Sequence, residues 1–580
     1  MSQCLLRRLA ASCLLVAAVP ALAEPAIRVD QLGFAPGARK LAVVEGIEAS
    51  QSFSVVRAKD GKTVFKGTLE APANWAPAGR MAALADFSTL GTPGAYRIEV
   101  RGVPVSDAFR IDTKAYAGLN DAALKAYYYN RASTALDAKH AGVYARPAGH
   151  PDTQVEIHPS AASPGRPAGT VVSAPKGWYD AGDYNKYVVN SGISTWTLLA
   201  AYAHYPQFFK GRDINIPESG NIVPDILDEA MWNLEWMLAM QDPGDGGVYH
   251  KLTNLQFDGI VMPAQANARR YMVGKGTAAT LDFAAVMAMA ARVYAPYEAR
   301  FPGVPARMRA AAEAAWGWAM THPDVAYVQP ADVKTGGYND DKFDDEFAWA
   351  AAELYLLTGT PAYYQTFERY AQPPGVPNWA DVGALGWISL ASELPKLPDD
   401  AARAKVRDGV TGEAAKLATK WSQSAWRVTM QPQDFRWGSN ADVLNQAMML
   451  LQGYRLDGQR VQLDAAQSQL DYILGRNPLG VSFVTGQGAR SPMNIHHRPS
   501  EADGIAAPVP GWLSGGPNPG QQDAKDCGAV RYPSQLPALS WLDHTCSYAS
   551  NEVAINWNAP LVYVSAALQA LTPAAVEGKR

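Results

Sequence analysis

Cysteine is scarce. The 580 residues hold four, and two of these, Cys4 and Cys13, fall in an N-terminal stretch that reads as a removable leader, so a fold framed by many disulfides is excluded. Charge of one sign is not in excess either: Lys plus Arg is 51 against 55 for Asp plus Glu, a net charge of −4. With no long like-charged run, nucleic acid is not an expected partner. Beyond the leader the chain reads as having no uninterrupted apolar run of ~20 residues, so no membrane span is expected. Residues 24–112 contain no histidine and show no acid pair, which argues for a structural role there.

The length and a hydrophobic fraction of 48% predict more than one domain with a sizeable core. Arg7 and Arg8 precede an apolar run from Leu9 to Val19, and Ala21-Leu-Ala23 closes it in the small-x-small pattern of a signal-peptidase site. Residues 1–23 are therefore read as an export signal, and the compartment as periplasmic or extracellular. A lipoprotein reading through Cys13 is disfavoured because most of the apolar run follows that residue. Export to an oxidising compartment favours a Cys527–Cys546 disulfide, worth roughly 3 kcal/mol on the chain-entropy estimate. The alternative is two separate buried thiols.

Alternating segments such as Lys40–Val44, Ser52–Val56, Thr63–Leu69 and Ala95–Val100, with Asp60-Gly61 and Pro93-Gly94 between them, predict strands and hairpins in residues 24–112. A small β-sandwich is expected there, with Trp75 the main aromatic on which a sugar-binding role would rest. From residue 113 to 574 the apolar period becomes 3.6. Helices are predicted over 224–240, 280–294, 344–358 with Gly359 as stop, 442–456, 462–474 and 560–571, separated by loops such as 159–175 and 499–519.

Two segments carry chemistry. Trp541 to Ala559 sets Glu552 among aromatic and amide residues, where lost hydration raises a carboxyl pKa so that it donates a proton near neutrality. Lys176-Gly-Trp-Tyr-Asp180-Ala-Gly-Asp183-Tyr-Asn-Lys-Tyr187 places two aspartates around a glycine turn, bracketed by aromatic rings. Alone, Asp-Ala-Gly-Asp is more often a plain turn. Carboxylates among aromatic rings suggest sugar chemistry.

These segments, with Ser482 to Ser500 containing His496, His497 and Arg498, closely resemble the three active-site motifs of family 9 glycoside hydrolases, the inverting cellulase-type enzymes. Thr280–Ala288, Asp345–Leu354, Phe435–Asn440 and Asp471–Pro478 recur in the family's order. The resemblance implies a mainly α catalytic domain, an (α/α)6 barrel, preceded by a small immunoglobulin-like β-sandwich. It implies Glu552 as acid, Asp183 as base and Asp180 as a holder of the nucleophilic water. His496 and Asp543 are placed near the chemistry, and Trp178, Tyr179, Arg498, Tyr548 and Trp437 with the sugar. Asn558 reads as a helix cap.

Inversion needs the two carboxyls about 6.5–9.5 Å apart, with a water between base and sugar. A zinc site at His496-His497 is disfavoured, since adjacent side chains diverge. Some relatives bind structural zinc upstream of the base motif, but residues 144–176 offer His150 and His158 without cysteine, so zinc is not expected. Asp345, Glu346 and Asp381 resemble a family calcium site, and an acidic helix start favoured by the dipole is an equal alternative. No cofactor is needed for the chemistry. The expected substrate is cellulose or a β-1,4-glucan oligosaccharide, cut internally by a monomer. The alternatives are an exo-acting β-glucosidase or glucosaminidase of the same family, and a non-catalytic carbohydrate-binding protein.

Overall fold

The computed structural model describes residues 24–572; the leader read in residues 1–23 lies outside the described residues. In the front region, alternation becomes two sheets. One runs in the order Ala26–Arg28, Leu41–Glu45, Arg80–Asp86, Ala73–Trp75, and the other Gly33–Phe34, Phe109–Ile111, Gly94–Val100, Ser52–Arg57, Thr63–Thr68. Along Gly94–Val100, Tyr96, Ile98 and Val100 point inward while Arg97 and Glu99 face out, the period of two that a half-buried strand requires. Phe34, Phe53, Val55, Phe87, Ile98 and Phe109 fill the space between the sheets.

Twelve longer helices follow: α1 (Ala117–Tyr129), α2 (Val188–His204), α3 (Asp225–Ala239), α4 (Thr277–Tyr294), α5 (Val304–Thr321), α6 (Asp344–Thr358), α7 (Pro361–Tyr370), α8 (Gly383–Ser392), α9 (Asp400–Gln423), α10 (Ser439–Asp457), α11 (Arg460–Ile473) and α12 (Ile555–Leu571). Even-numbered helices form the inner ring, with α2 against α4, α4 against α6, α6 against α8, and α10 and α2 flanking α12. Odd-numbered helices pack outside them, giving an (α/α)6 barrel. Composition explains the division. Helix α9 buries one stripe, Val406, Val410, Ala414, Leu417 and Trp421, at the three- and four-residue spacing of an amphipathic helix. Helix α4 is buried nearly all round.

Composition, not burial, departs from expectation at α4. The segment Thr277–Tyr297 is long and apolar enough to cross a membrane by length and composition, but 83% of its apolar window is buried inside the protein. Helix α12 differs too: it starts at Ile555, with Pro560 inside it. Asn558 is not its cap. It sits in the first turn, where Oδ1 accepts from Leu513 N at 2.9 Å and Nδ2 donates to Ala123 O at 2.7 Å.

A third sheet was not foreseen. Val171–Val172, Val155–Ile157, Tyr271–Lys275, Tyr249–Thr253 and Lys186–Tyr187 lie side by side in that order, built from segments between helices at one end of the barrel. The sandwich docks through polar and aromatic contacts. Gln31 N donates to Leu474 O at 2.9 Å, its Nε2 to Gly480 O at 3.0 Å, and its Oε1 accepts from Arg490 N at 2.9 Å. Trp75 is not a surface sugar platform: it is buried, 5.0 Å from the Trp426 ring and 6.1 Å from Phe435. Trp75→Ala is expected to lower stability by about 3–5 kcal/mol, the usual loss for an aromatic removed from a packed site, measured by urea denaturation.

Candidate active site

Asp180 and Asp183 lie on the loop that runs into the short strand Lys186–Tyr187 and then into inner helix α2; Glu552 lies just before inner helix α12. The two helices are neighbours, so segments some 370 residues apart (Gly182 and Glu552 differ by 370) meet on one rim. They are joined directly. Ile555 N donates to Asp180 O at 2.9 Å and Gly182 N to Glu552 Oε1 at 3.3 Å. The third motif enters at the same point, where Arg498 N donates to Gly182 O at 3.0 Å and His496 N to Asn551 O at 2.9 Å. A Cβ on Gly182 would lie 2.2 Å from His496 O, so only glycine permits this approach.

The three carboxyls face a cavity of about 910 Å³ walled also by Tyr187, Phe257, Tyr338, Trp379, Trp437, His496, Arg498 and Tyr548. Their environments differ. Asp180 is fully held: Oδ1 accepts from Asn190 at 2.6 Å and Oδ2 from the Tyr338 hydroxyl at 2.7 Å. Burial, then the charge of Asp183, pushes its pKa up to about 8. Asp183 accepts at Oδ2 from Asn185, while its Oδ1 has no partner among the described residues. Burial raises its pKa as well, but Arg498, Arg270 and Lys251 pull the other way. Glu552 is held well above the ordinary carboxylate range by burial and then by the charge of Asp183. Of the three, Asp183 therefore has the strongest cationic support for its ionised form, and Glu552 and Asp180 hold protons more firmly.

His496 Nδ1 donates to Thr545 O, 2.6 Å away; since a carbonyl only accepts, Nδ1 carries the proton. The Tyr548 ring lies 5.6 Å from Trp437, and its hydroxyl donates to Asp526 at 2.7 Å. Trp437, 41% exposed, presents an open aromatic face. Arg498 is on the wall but occupied: Nη1 donates to Gly182 O at 2.9 Å and Nε to Asp258 O at 3.0 Å.

Three residues expected near sugar or chemistry are not on the wall. Trp178 is completely buried, its indole N–H donating to Glu229 at 2.7 Å and its ring 4.6 Å from Tyr127. Tyr179 is buried with its hydroxyl 2.8 Å from His150 Nδ1. Asp543 accepts from the Met493 and Asn494 N–H groups at 2.9 and 2.8 Å and from Asn551 at 3.0 Å, which makes it a brace for the His496 segment. Tyr338, Trp379 and Asn190 were missed. Tyr338 follows Gly336-Gly337 and has φ 49°, a left-handed backbone rare outside glycine, and neither it nor the others stands in a recognisable acid or base motif.

Cys527 and Cys546 form a disulfide whose loop ends six residues before Glu552. His150 pairs with Tyr179, and His158 with Ser160 and Asp332. For calcium, Asp345 Oδ2 accepts from Val382 N at 2.8 Å, beside Asp381. Both oxygens of Asp282 and one each of Asp340 and Glu346 are buried without partners. Burial and mutual repulsion raise the pKa values of Asp282, Glu346, Asp340 and Asp381. These are hard oxygen donors in need of neutralisation, which fits calcium, although among the described residues no group of three or more is already gathered at metal-holding distance.

The family model described as "Glycosyl hydrolase family 9" matches residues 116–565, and "Cellulase N-terminal ig-like domain" matches residues 22–105. The chain is 45% identical over 565 residues to a xyloglucan-specific endo-beta-1,4-glucanase of Bacteroides ovatus, covering 94% of each. It is 32% identical over 562 residues to a cellodextrinase of Butyrivibrio fibrisolvens, covering 93% of this chain and 98% of that one. A solved Bacteroides ovatus GH9 structure superposes with a TM-score of 0.88 at 42% identity, covering 94% and 99% of the two chains. Gly182→Ala is expected to force apart the segments bearing the three carboxyls and to lower turnover by ~100-fold or more, read by steady-state kinetics with circular dichroism verifying the fold.

Proposed function

The chain belongs to glycosyl hydrolase family 9 and is a glycoside hydrolase of the endo-β-1,4-glucanase type; on that premise we propose that it cuts the β-1,4-linked backbone of xyloglucan and of unbranched cello-oligosaccharides, with inversion. Asp183 acts as general base and Glu552 as general acid. A water held by Asp180 and Asp183 attacks the anomeric carbon and gives its proton to Asp183 Oδ1, while Glu552 protonates the departing glycosidic oxygen. The observation that carries this is the convergence of three unequal carboxyls on one aromatic-walled cavity, with a free oxygen on the carboxylate that has the most cationic neighbours. Branched substrate is favoured by the similarity to the Bacteroides ovatus enzyme.

Exo-action on short oligomers is the second reading, favoured by similarity to the cellodextrinase over nearly its whole length. Viscosity loss of xyloglucan and carboxymethylcellulose, set against monosaccharide release, separates the two: rapid thinning with little glucose supports internal cuts. Early products are expected to be α-anomers by NMR; β-anomers would overturn the inverting mechanism.

The pH profile follows from the same groups. kcat/KM is expected to fall as pH drops through the raised pKa of Asp183, because the base becomes protonated, and to fall as pH rises through the raised pKa of Glu552, because the acid is lost. Glu552→Gln should lower kcat by about 10²–10⁴ and remove the part of the alkaline limb that loss of the Glu552 proton causes, and Asp183→Asn should lower kcat with sugar binding retained. A non-catalytic sugar-binding protein would show neither loss.

The chemistry needs no cofactor. Structural calcium drawn in by Asp345, Glu346 and Asp381 would neutralise the buried acidic cluster without touching substrate. The melting temperature is expected to rise with millimolar calcium and fall with EGTA; an unchanged melt would leave protons as the neutralising species. Export from the cytosol, as the leader suggests, is part of the same proposal and accords with the Cys527–Cys546 disulfide.

A further inference from the structure

A buried ion cluster lies behind the cavity wall, and of its members only Arg270 also acts on Asp183 through its charge. Lys186 and Asp152 have side chains with no exposure, and their ammonium and carboxylate are 2.7 Å apart. Arg270 Nε lies 3.3 Å from the other carboxylate oxygen. None of the three lines the cavity. What they hold is the loop that bears Asp180 and Asp183. Lys186 Nζ reaches back to the start of this loop, donating to Lys176 O at 2.7 Å and Ala174 O at 3.4 Å. Asp152 holds the same point from the other side, its carbonyl accepting from Ala174 N at 2.8 Å. Arg270 Nη2 donates to Tyr184 O at 2.9 Å, the residue between Asp183 and Asn185.

We infer that Asp152, Lys186 and Arg270 are positioning residues that close the two ends of the Asp180/Asp183 loop and so set where both carboxyls stand. The inference rests on the proposed roles of those aspartates. A buried ion pair is seldom more stabilising than apolar packing of the same volume, so its presence here calls for a geometric reason. The backbone supplies a second observation. His150 and Asp152, on either side of Pro151, have φ of 47° and 48°, a left-handed conformation that non-glycine residues adopt at some strain. At Asp152 that conformation accompanies a side chain aimed at Lys186 and a carbonyl aimed at Ala174.

The groups facing Lys186 are Asp152, Arg270, the Trp236 ring at 5.2 Å and, further out, His150, whose pKa is pushed down to about 3 and which is therefore neutral. Burial lowers the Lys186 pKa to about 8, opposed by Asp152. The ammonium is complete below this value and is lost as pH rises through it. Deprotonation leaves Asp152 with Arg270 alone and weakens the grip on two carbonyls.

The test uses the full chain with Lys186→Met, Lys186→Arg, Asp152→Asn and the double variant Asp152→Asn/Lys186→Met, each assayed for kcat, KM, pH profile and cooperative unfolding on a soluble cello-oligosaccharide. Lys186→Met is expected to lose ~100-fold in kcat with KM within about threefold of wild type. The double variant should recover part of the folding stability but not the kcat. Lys186→Arg should keep most of the kcat and hold it to higher pH than wild type. A folded Lys186→Met enzyme with wild-type kcat, or a loss confined to KM, overturns the clamp. If Lys186→Met does not fold, Asp152→Asn decides in the same terms, and wild-type kcat in that variant overturns it. Should wild type hydrolyse the substrate and Asp183→Asn abolish turnover while the clamp variants are unaffected, only this inference falls. A wild type inactive on every β-1,4-glucan, or indifferent to Asp183→Asn, sinks the proposed function itself.

Discussion

The site depends on a close approach at Gly182. Its carbonyl takes two bonds from Arg498, its N–H donates to Glu552, and the space a side chain would occupy belongs to the carbonyl of His496. Three segments from distant parts of the chain thus meet at one peptide unit. The inner helices α2 and α12 bring the segments to the same rim, and the backbone bonds at Gly182 fix how they face one another. The barrel supplies rigidity; the glycine supplies the distance.

Around that point the protein sorts three buried carboxyls by what it places beside each. Burial raises all three, so burial alone cannot distinguish an acid from a base. The distinction comes from neighbours: Arg498, Arg270 and Lys251 act on Asp183, Asn190 and Tyr338 bond Asp180, and Glu552 feels the charge of Asp183 more than the opposing charge of Arg498. Two of the three cations serve the backbone as well. Arg498 ties Gly182 to Asp258, and Arg270 holds Tyr184, so the field at the base and the shape of its loop share residues.

Much of this was legible in the sequence, and the remainder has physical reasons for being hidden. Helices marked by a start or stop signal, such as α3 after Pro224 and α6 before Gly359, could be read nearly to the residue. Periodicity alone was not enough: α9 was not predicted despite its apolar stripe, nor was α2, which is buried almost all round. The third sheet was invisible because its strands are two to five residues long and pair across intervening helices. Asp180, Asp183 and Glu552 stood out as carboxyls in aromatic company. The same company misled for Trp178 and Tyr179, whose rings turn into the core because Glu229 and His150 there accept or share their protons. Tyr338 carried no motif; its role comes from a strained backbone that no composition announces.

The front sandwich has its own hydrophobic centre, yet Gln31 makes three bonds to the segment between Leu474 and Arg490, a few residues upstream of His496. Its boundary is a seam in which each half completes the other's polar surface. Swapping this unit among related enzymes would therefore be a transplant of a matched joint, and a foreign partner lacking the counterpart of Gln31 would leave backbone groups of the larger body dangling within a short walk of the bond-breaking machinery.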